Sequence, residues 1–222
     1  FVPENIATAR GFVVVNEHYQ TTDAKVFAIG DIAKPGLLTD AIGAGRTAAA
    51  AITEMLEGRR EQFIAELVEQ GSTPRAAAKE VDTSIDRLIY FAGWADKYQQ
   101  VFSAVNPVAS SHFNFSVLEP TGVVSIIAPD DSGLLGLISN VAPTIVGGNT
   151  CVVLASESMP LSAVSFAEVL HASDVPAGVV NVLAGGDELG QAMSEHIGID
   201  KISFTGSVET GKKVYASAAQ TV

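Results

Sequence analysis

The chain is poor in the residues that build several common kinds of site. It has one cysteine in 222 residues, Cys151, set in the apolar run CVVLA. A disulfide framework or a clustered thiolate metal site is therefore excluded within one chain, and a buried, inert thiol is expected. The four histidines, His18, His112, His171 and His196, are scattered without ligand spacing and read as ordinary surface or boundary residues. Charged residues make up only 17%, and Lys plus Arg number 13 against 25 acids, for a net charge of −12. Such an acidic balance argues against nucleic acid or an anionic membrane surface as a partner. No apolar run reaches the ~18 residues of a membrane span. The start, FVPENIATARG, lacks the basic and apolar blocks of a signal peptide. A cytoplasmic protein is expected, with no membrane and no nucleic acid among its partners.

Hydrophobic residues are plentiful, at 47%, and their spacing is informative. GFVVVNEHYQT reads as a strand and a polar turn, and KVFAIGD as a second strand ending at Gly30 and Asp31. Ala41 to Leu56 is alanine-rich and reads as a helix, with Thr39 or Asp40 as N-cap. REQFIAELVEQG places Phe63, Ile64, Leu67 and Val68 on one helix face, and Gly71 closes it. Thr73 opens a second amphipathic helix with a stripe of Val81, Ile85, Leu88, Ile89 and Ala92, and Trp94 beyond it is expected in the core. VFSAVNPVASSHFNFSVLEPTG reads as short strands and turns.

After Gly122 the pattern alternates regularly. SIIA, NTCVVLA, GVVNVLAG and KISFTG read as strands, separated by LLGLISNVAPTIVGG, SAVSFAEVLHASD and ELGQAMSEH as helices, with SVETGKKVYASAA opening a last one. Nearly continuous apolar strands in strand–helix alternation predict an α/β fold: a parallel, Rossmann-like sheet with helices on both faces, preceded by long helices. Ligands in such sheets lie beyond the carboxyl ends of the strands.

The segments RLIYFAGWADKY, EPTGVVSIIAP, NVAPTIVGGNT, SDVPAGVVNVLAGG and HIGIDKISFTGSVETGKKV occur in one order. In that order they resemble the coenzyme-binding domain of the aldehyde dehydrogenase superfamily. The resemblance runs from Arg59 to Val222, and MLEGRREQFIAEL extends it toward Ile52. It implies a domain over residues 52–222, incomplete relative to the family. Several site residues follow from the resemblance alone. Glu157 is the acid that contacts the adenosine ribose. Phe204, Gly206, Ser207 and Gly211 match the family's F-T-G-S-x-x-x-G, where backbone N–H groups hold the diphosphate of NAD. The two glycines also suit close strand-to-helix packing.

The chain departs from the family pattern elsewhere. The family's Trp-Asn pair after the first strand is replaced by Asp130 and Asp131. Asp131 stands at the oxyanion-donor position, and a carboxylate has no donor to offer. From their place ahead of Leu134, both acids are expected instead as N-cap and first-turn acid of the following helix. The ribose-binding lysine is Leu154. Cys151 does not match the position of the nucleophile, and the resemblance does not reach the segments that carry the nucleophilic cysteine and the general-base glutamate. The expected function is a non-catalytic or partial aldehyde dehydrogenase-like subunit. It would be a structural or regulatory partner of an NAD(P)-dependent oxidoreductase and would associate with other dehydrogenase subunits. The alternative is a fragment of an active NAD-dependent aldehyde dehydrogenase or of an FAD/NAD(P)H oxidoreductase.

Residues 1–51 are expected to form a separate fragment. TTDAKVFAIGDIAKPGLLTDAIGAGRTAAAAI resembles the closing FAD motif of flavoproteins such as the glutamate synthase small subunit and dihydropyrimidine dehydrogenase. The resemblance places Gly30 and Asp31 at the ribityl chain of FAD and Ala41 and Ile42 at the flavin ring. The segment lacks the G-x-G-x-x-G that holds the FAD diphosphate, so binding by this chain alone is not expected.

Overall fold

The computed structural model describes residues 7–9, 12–13, 52–173 and 175–221. The FAD-motif positions Gly30, Asp31, Ala41 and Ile42, His18 and residues 41–51 of the helix expected over 41–56 lie outside the described residues. Two short strands, β1 (Thr8–Ala9) and β2 (Phe12–Val13), pair antiparallel.

Residues 52–58 are helical and lead into α1 (Arg60–Glu69), where Phe63 and Leu67 are fully buried. Gly71 follows at φ +103°, a left-handed conformation that suits glycine and reverses the chain. Helix α2 (Pro74–Ala92) starts where the sequence signals it. The Thr73 hydroxyl accepts from the Ala76 N–H at 3.3 Å, and Pro74 sits at the first helical position, where its missing N–H costs nothing. Arg60 clamps α1 to α2 through two bonds to Asp82, at 2.7 and 3.1 Å. Val81, Ile85 and Leu88 are buried as expected, but Ile89 is 52% and Val68 36% exposed, so each apolar stripe is narrower than the spacing alone suggests. Trp94 is also corrected. It is half-buried, with its ring stacked 6.0 Å from that of Phe102, itself 56% exposed. After α3 (Tyr98–Phe102), strands β3 (Ala104–Asn106) and β4 (Asn114–Ser116) form an antiparallel hairpin.

The main sheet has four parallel strands, β5 (Val123–Ile127), β6 (Thr150–Leu154), β7 (Val180–Leu183) and β8 (Lys201–Phe204), in the order β7-β6-β5-β8. Helices α4 (Leu135–Val146) and α5 (Leu161–Ala172) cross from β5 to β6 to β7 in one direction. The chain then turns back past β5 through α6 (Asp187–Ser194) to β8 and ends in α7 (Val208–Ala218). Right-handed crossovers put helices on opposite faces when the direction of travel reverses. One face of the sheet accordingly packs α1, α2, α4 and α5 around Val124, Ile126, Cys151 and Val153. The other carries α6 and α7. This is the predicted α/β architecture, and no helix among the described residues is long and apolar enough to cross a membrane.

The start of α4 differs from expectation. Its N-cap is Leu134, with no side-chain cap of its own and no acid in the first turn. Asp130 and Asp131 lie in the preceding turn, where Asp130 Oδ1 accepts from the Ser156 hydroxyl. Glu80 of α2 takes that place. Its Oε1 accepts from the Leu134 N–H at 2.9 Å, the Leu135 N–H at 3.1 Å and the Ser132 hydroxyl at 3.3 Å. A carboxylate at a helix N-terminus is favoured by the unpaired N–H groups and the helix dipole.

Candidate functional site

The sheet order reverses at β5, so a crevice opens between the carboxyl ends of β5 and β8, where open α/β sheets bind ligands. A cleft of about 580 Å³ lies there. Its floor is formed by the strand ends Ile127, Ala128, Leu154, Ala155 and Phe204. Its walls are Asp130 and Glu157 from the loops after β5 and β6, Gly185 and Gly186 at the entry to α6, and Thr205, Gly206 and Ser207 at the entry to α7. Between the two helices the cleft narrows to a slot lined by Gly190, Gln191 and Ser194 on one side and Thr210, Lys213, Val214 and Ser217 on the other.

Each wall has a local cause. Ser207 caps α7: its Oγ accepts from the Thr210 N–H at 3.1 Å and donates to Thr210 Oγ1 at 3.0 Å. The earlier N–H groups of that turn have no intrahelical acceptor and stand beside the crevice, an arrangement suited to an anion. Gly206 and Gly211 have a second reason to be glycine. A β-carbon would lie 2.7 Å from the Phe204 ring at Gly206 and 3.2 Å from it at Gly211. The ring fills the angle between β8 and α7, and only hydrogen atoms leave room for it. Gly211 packs behind Phe204 and is not among the residues lining the cleft. The Glu157 carboxylate rests against Gly186, with Oε2 3.2 Å from where a β-carbon would stand. That puts it beside the N-terminus of α6.

Four of the five expected coenzyme contacts, Glu157, Phe204, Gly206 and Ser207, thus meet in one cleft. Leu154 lines it too, offering an apolar surface where the resemblance expects a lysine. Asp131 is exposed and lies outside the lining. Sequence reading missed the α6 side, although the Gly-Gly pair after β7 was a usable signal. It also missed Lys213, whose Nζ lies 3.5 Å from Glu209 Oε1 on the same exposed surface of α7. Asn149 has a structural part: its Oδ1 accepts from the N–H groups of Thr121 and Gly122, at 2.7 and 3.1 Å, tying the starts of β5 and β6 together.

Cys151 sits on the opposite face of the sheet, fully buried, and burial pushes its thiol up to about 12. It has no route to a ligand in the cleft. Among the described residues no group of three or more His, Cys, Asp or Glu side chains is placed to hold a metal.

Comparison with known proteins agrees with this geometry. Residues 45–222 match the aldehyde dehydrogenase family. The chain belongs to that family. A hydroxyisobutyraldehyde dehydrogenase from Mycolicibacterium austroafricanum is 39% identical over 194 residues, which is 86% of this chain and 38% of that protein. Mouse (Mus musculus) retinal dehydrogenase 2 is 40% identical over 153 residues, 68% of this chain and 29% of its own length. Among solved structures, an apo betaine aldehyde dehydrogenase from Staphylococcus aureus superposes with a TM-score of 0.75 at 32% identity, covering 82% of this chain and 36% of that one. An NAD+ complex of an aldehyde dehydrogenase from Bacillus cereus superposes at 0.77 with 26% identity, over 85% and 38%. This aldehyde dehydrogenase chain thus spans 38% of the length of the first of these relatives and less of the second.

Proposed function

We propose that this chain is the coenzyme-holding part of an aldehyde dehydrogenase, and that its cleft takes NAD. The observation that carries the proposal is the convergence of Glu157, Gly206 and Ser207 at the switch point of the sheet, beside the N-terminus of α7. The diphosphate would lie against the first turn of α7. The slot between α6 and α7, lined mostly by small and polar residues with Val214 as its apolar surface, would take the base. A bound nicotinamide coenzyme would supply hydride acceptance. The chain's own residues bind it and orient it. Neither the fold of the described residues nor the family match supports FAD.

Leu154 and Asp131 favour a second reading, in which the chain is a structural or regulatory subunit beside an active dehydrogenase. Leu154 gives a ribose hydroxyl no partner, and Asp131 cannot donate to an oxyanion. Association with other dehydrogenase subunits is part of both readings. It is supported by the β3–β4 hairpin, where Val105, Phe113 and Phe115 are 68%, 75% and 58% exposed.

Calorimetric titration of the purified chain with NAD tests the first reading. Saturable binding with about 1:1 stoichiometry, weakened by a bulky Gly206→Val, is the expected result. An absence of heat at millimolar NAD would leave only the subunit reading.

A further inference from the structure

The oxidised and reduced forms of a nicotinamide dinucleotide differ in charge at one place. The ring is a pyridinium cation when oxidised and neutral when reduced. A site can separate them electrostatically only through fixed charge near the end that holds the ring.

The charges on the cleft wall are unevenly distributed. Lys213 belongs to the slot between α6 and α7, Glu157 and Asp187 stand beside the N-terminus of α6, and Asp130 stands just past the last residues of β5. The position of Asp130 is built by the fold. Ser156, only 4% exposed, donates from Oγ to Asp130 Oδ1 at 3.2 Å. Ser156 Oγ also accepts from the Met159 N–H at 3.1 Å and lies 3.1 Å from Ser158 Oγ. Ser158 in turn donates to the Asp130 carbonyl at 3.1 Å. The loops after β5 and β6 are thus laced together around this acid, and its carboxylate is held on the cleft wall although the residue is exposed.

We propose that Asp130 is a specificity-determining residue that makes the cleft prefer oxidised over reduced nicotinamide dinucleotide. The proposal rests on the coenzyme reading of the cleft. With the diphosphate at α7 and the base in the slot, the nicotinamide end extends toward the end of β5. There the pyridinium meets a carboxylate, and the neutral dihydropyridine gains nothing from it.

The test is calorimetric titration of the chain with NAD+ and, separately, NADH. The proteins are the unsubstituted chain, Asp130→Asn, and Asp96→Asn as an exposed charge control away from the cleft. The unsubstituted chain should bind NAD+ roughly fivefold tighter than NADH, the scale of a partly screened charge pair a few ångströms apart. The preference should collapse toward unity in Asp130→Asn and persist in Asp96→Asn. In the unsubstituted chain it should also shrink as salt is raised from about 0.02 to 0.5 M, because screening acts on the pyridinium–carboxylate pair. That arm stands even if Asp130→Asn fails to fold. Binding of both coenzymes with no preference, with a preference kept in Asp130→Asn, or with one insensitive to salt overturns the assignment of Asp130 and leaves the coenzyme reading intact. Binding of neither coenzyme overturns both.

Discussion

The two faces of the main sheet are made from the same kind of strand and put to different uses. On the α4–α5 face, Val124, Ile126, Cys151 and Val153 are nearly or fully buried, and Leu137, Val141, Phe166 and Val169 close over them. On the α6–α7 face burial is sparse: α6 buries only Met193 and Ser194, and α7 buries no residue at all. The cleft occupies the space that packing has not filled. Apolar burial stabilises in proportion to area removed from water, so the first face supplies most of the chain's stability. The second keeps unfilled volume and unpaired N–H groups for a ligand. Topology decides which face is which, because the chain reverses its direction across the sheet only after β7.

Substitutions should expose this division, beginning with the largest effect. Phe166→Ala empties a site that is 1% exposed within the packed face and should cost about 3–5 kcal/mol, read as a lower urea midpoint with unchanged slope. A loss below about 1 kcal/mol would mean that this face is not the stable one. Glu80→Ala comes next. It strips the α4 N-terminus of an acceptor shared by two backbone N–H groups and a hydroxyl, and should cost about 1.5–3 kcal/mol. Glu80→Gln keeps an acceptor oxygen and should recover part of that loss.

Much of the packed face was legible in the sequence, and the reason is local. CVVLA reads as a strand because its apolar run is short and β-branched, and Thr73-Pro74 reads as a helix start because cap and proline are adjacent. Glu80 was not legible. It caps α4 from 54 residues away, and no spacing rule links a residue of α2 to the first turn of a helix beyond three intervening strands. Asp130 and Asp131 took its place in the sequence reading because they are the nearest acids upstream. The cleft was half legible: the motif at Gly206 and Ser207 is contiguous, whereas Gln191, Lys213 and Ser217 reach it only because α6 and α7 pack side by side.

Alkaline pH probes the packed face through one atom. The folded Cys151 thiol, raised by burial to about 12, stays protonated while the unfolded thiol ionises near 9.0. Its contribution is fully present below pH 9, falls as pH rises, and is gone by about 12. At pH 10 the chain should have lost about 1.4 kcal/mol more than Cys151→Ala, each relative to its own stability at pH 8. Parallel pH profiles would mean that water reaches the thiol. The same burial predicts no reaction with a thiol reagent at pH 8 until the chain unfolds.

The smallest stability effect is the one that sharpens the contrast most. Val214 lines the slot between α6 and α7 and is half-buried, with the cleft on one side of it. Truncation to alanine removes methyl groups that touch little protein, so stability should change by less than about 0.5 kcal/mol. The same methyls would be buried by a base entering the slot, and their loss should weaken NAD binding roughly threefold to fivefold. Val153→Ala, the same chemical change at a fully buried position on the other face, should show the reverse: a clear loss of stability with NAD affinity unchanged once the protein is folded. Equal stability losses at the two positions would mean that α7 is packed onto the sheet and that the slot between α6 and α7 is not a binding surface.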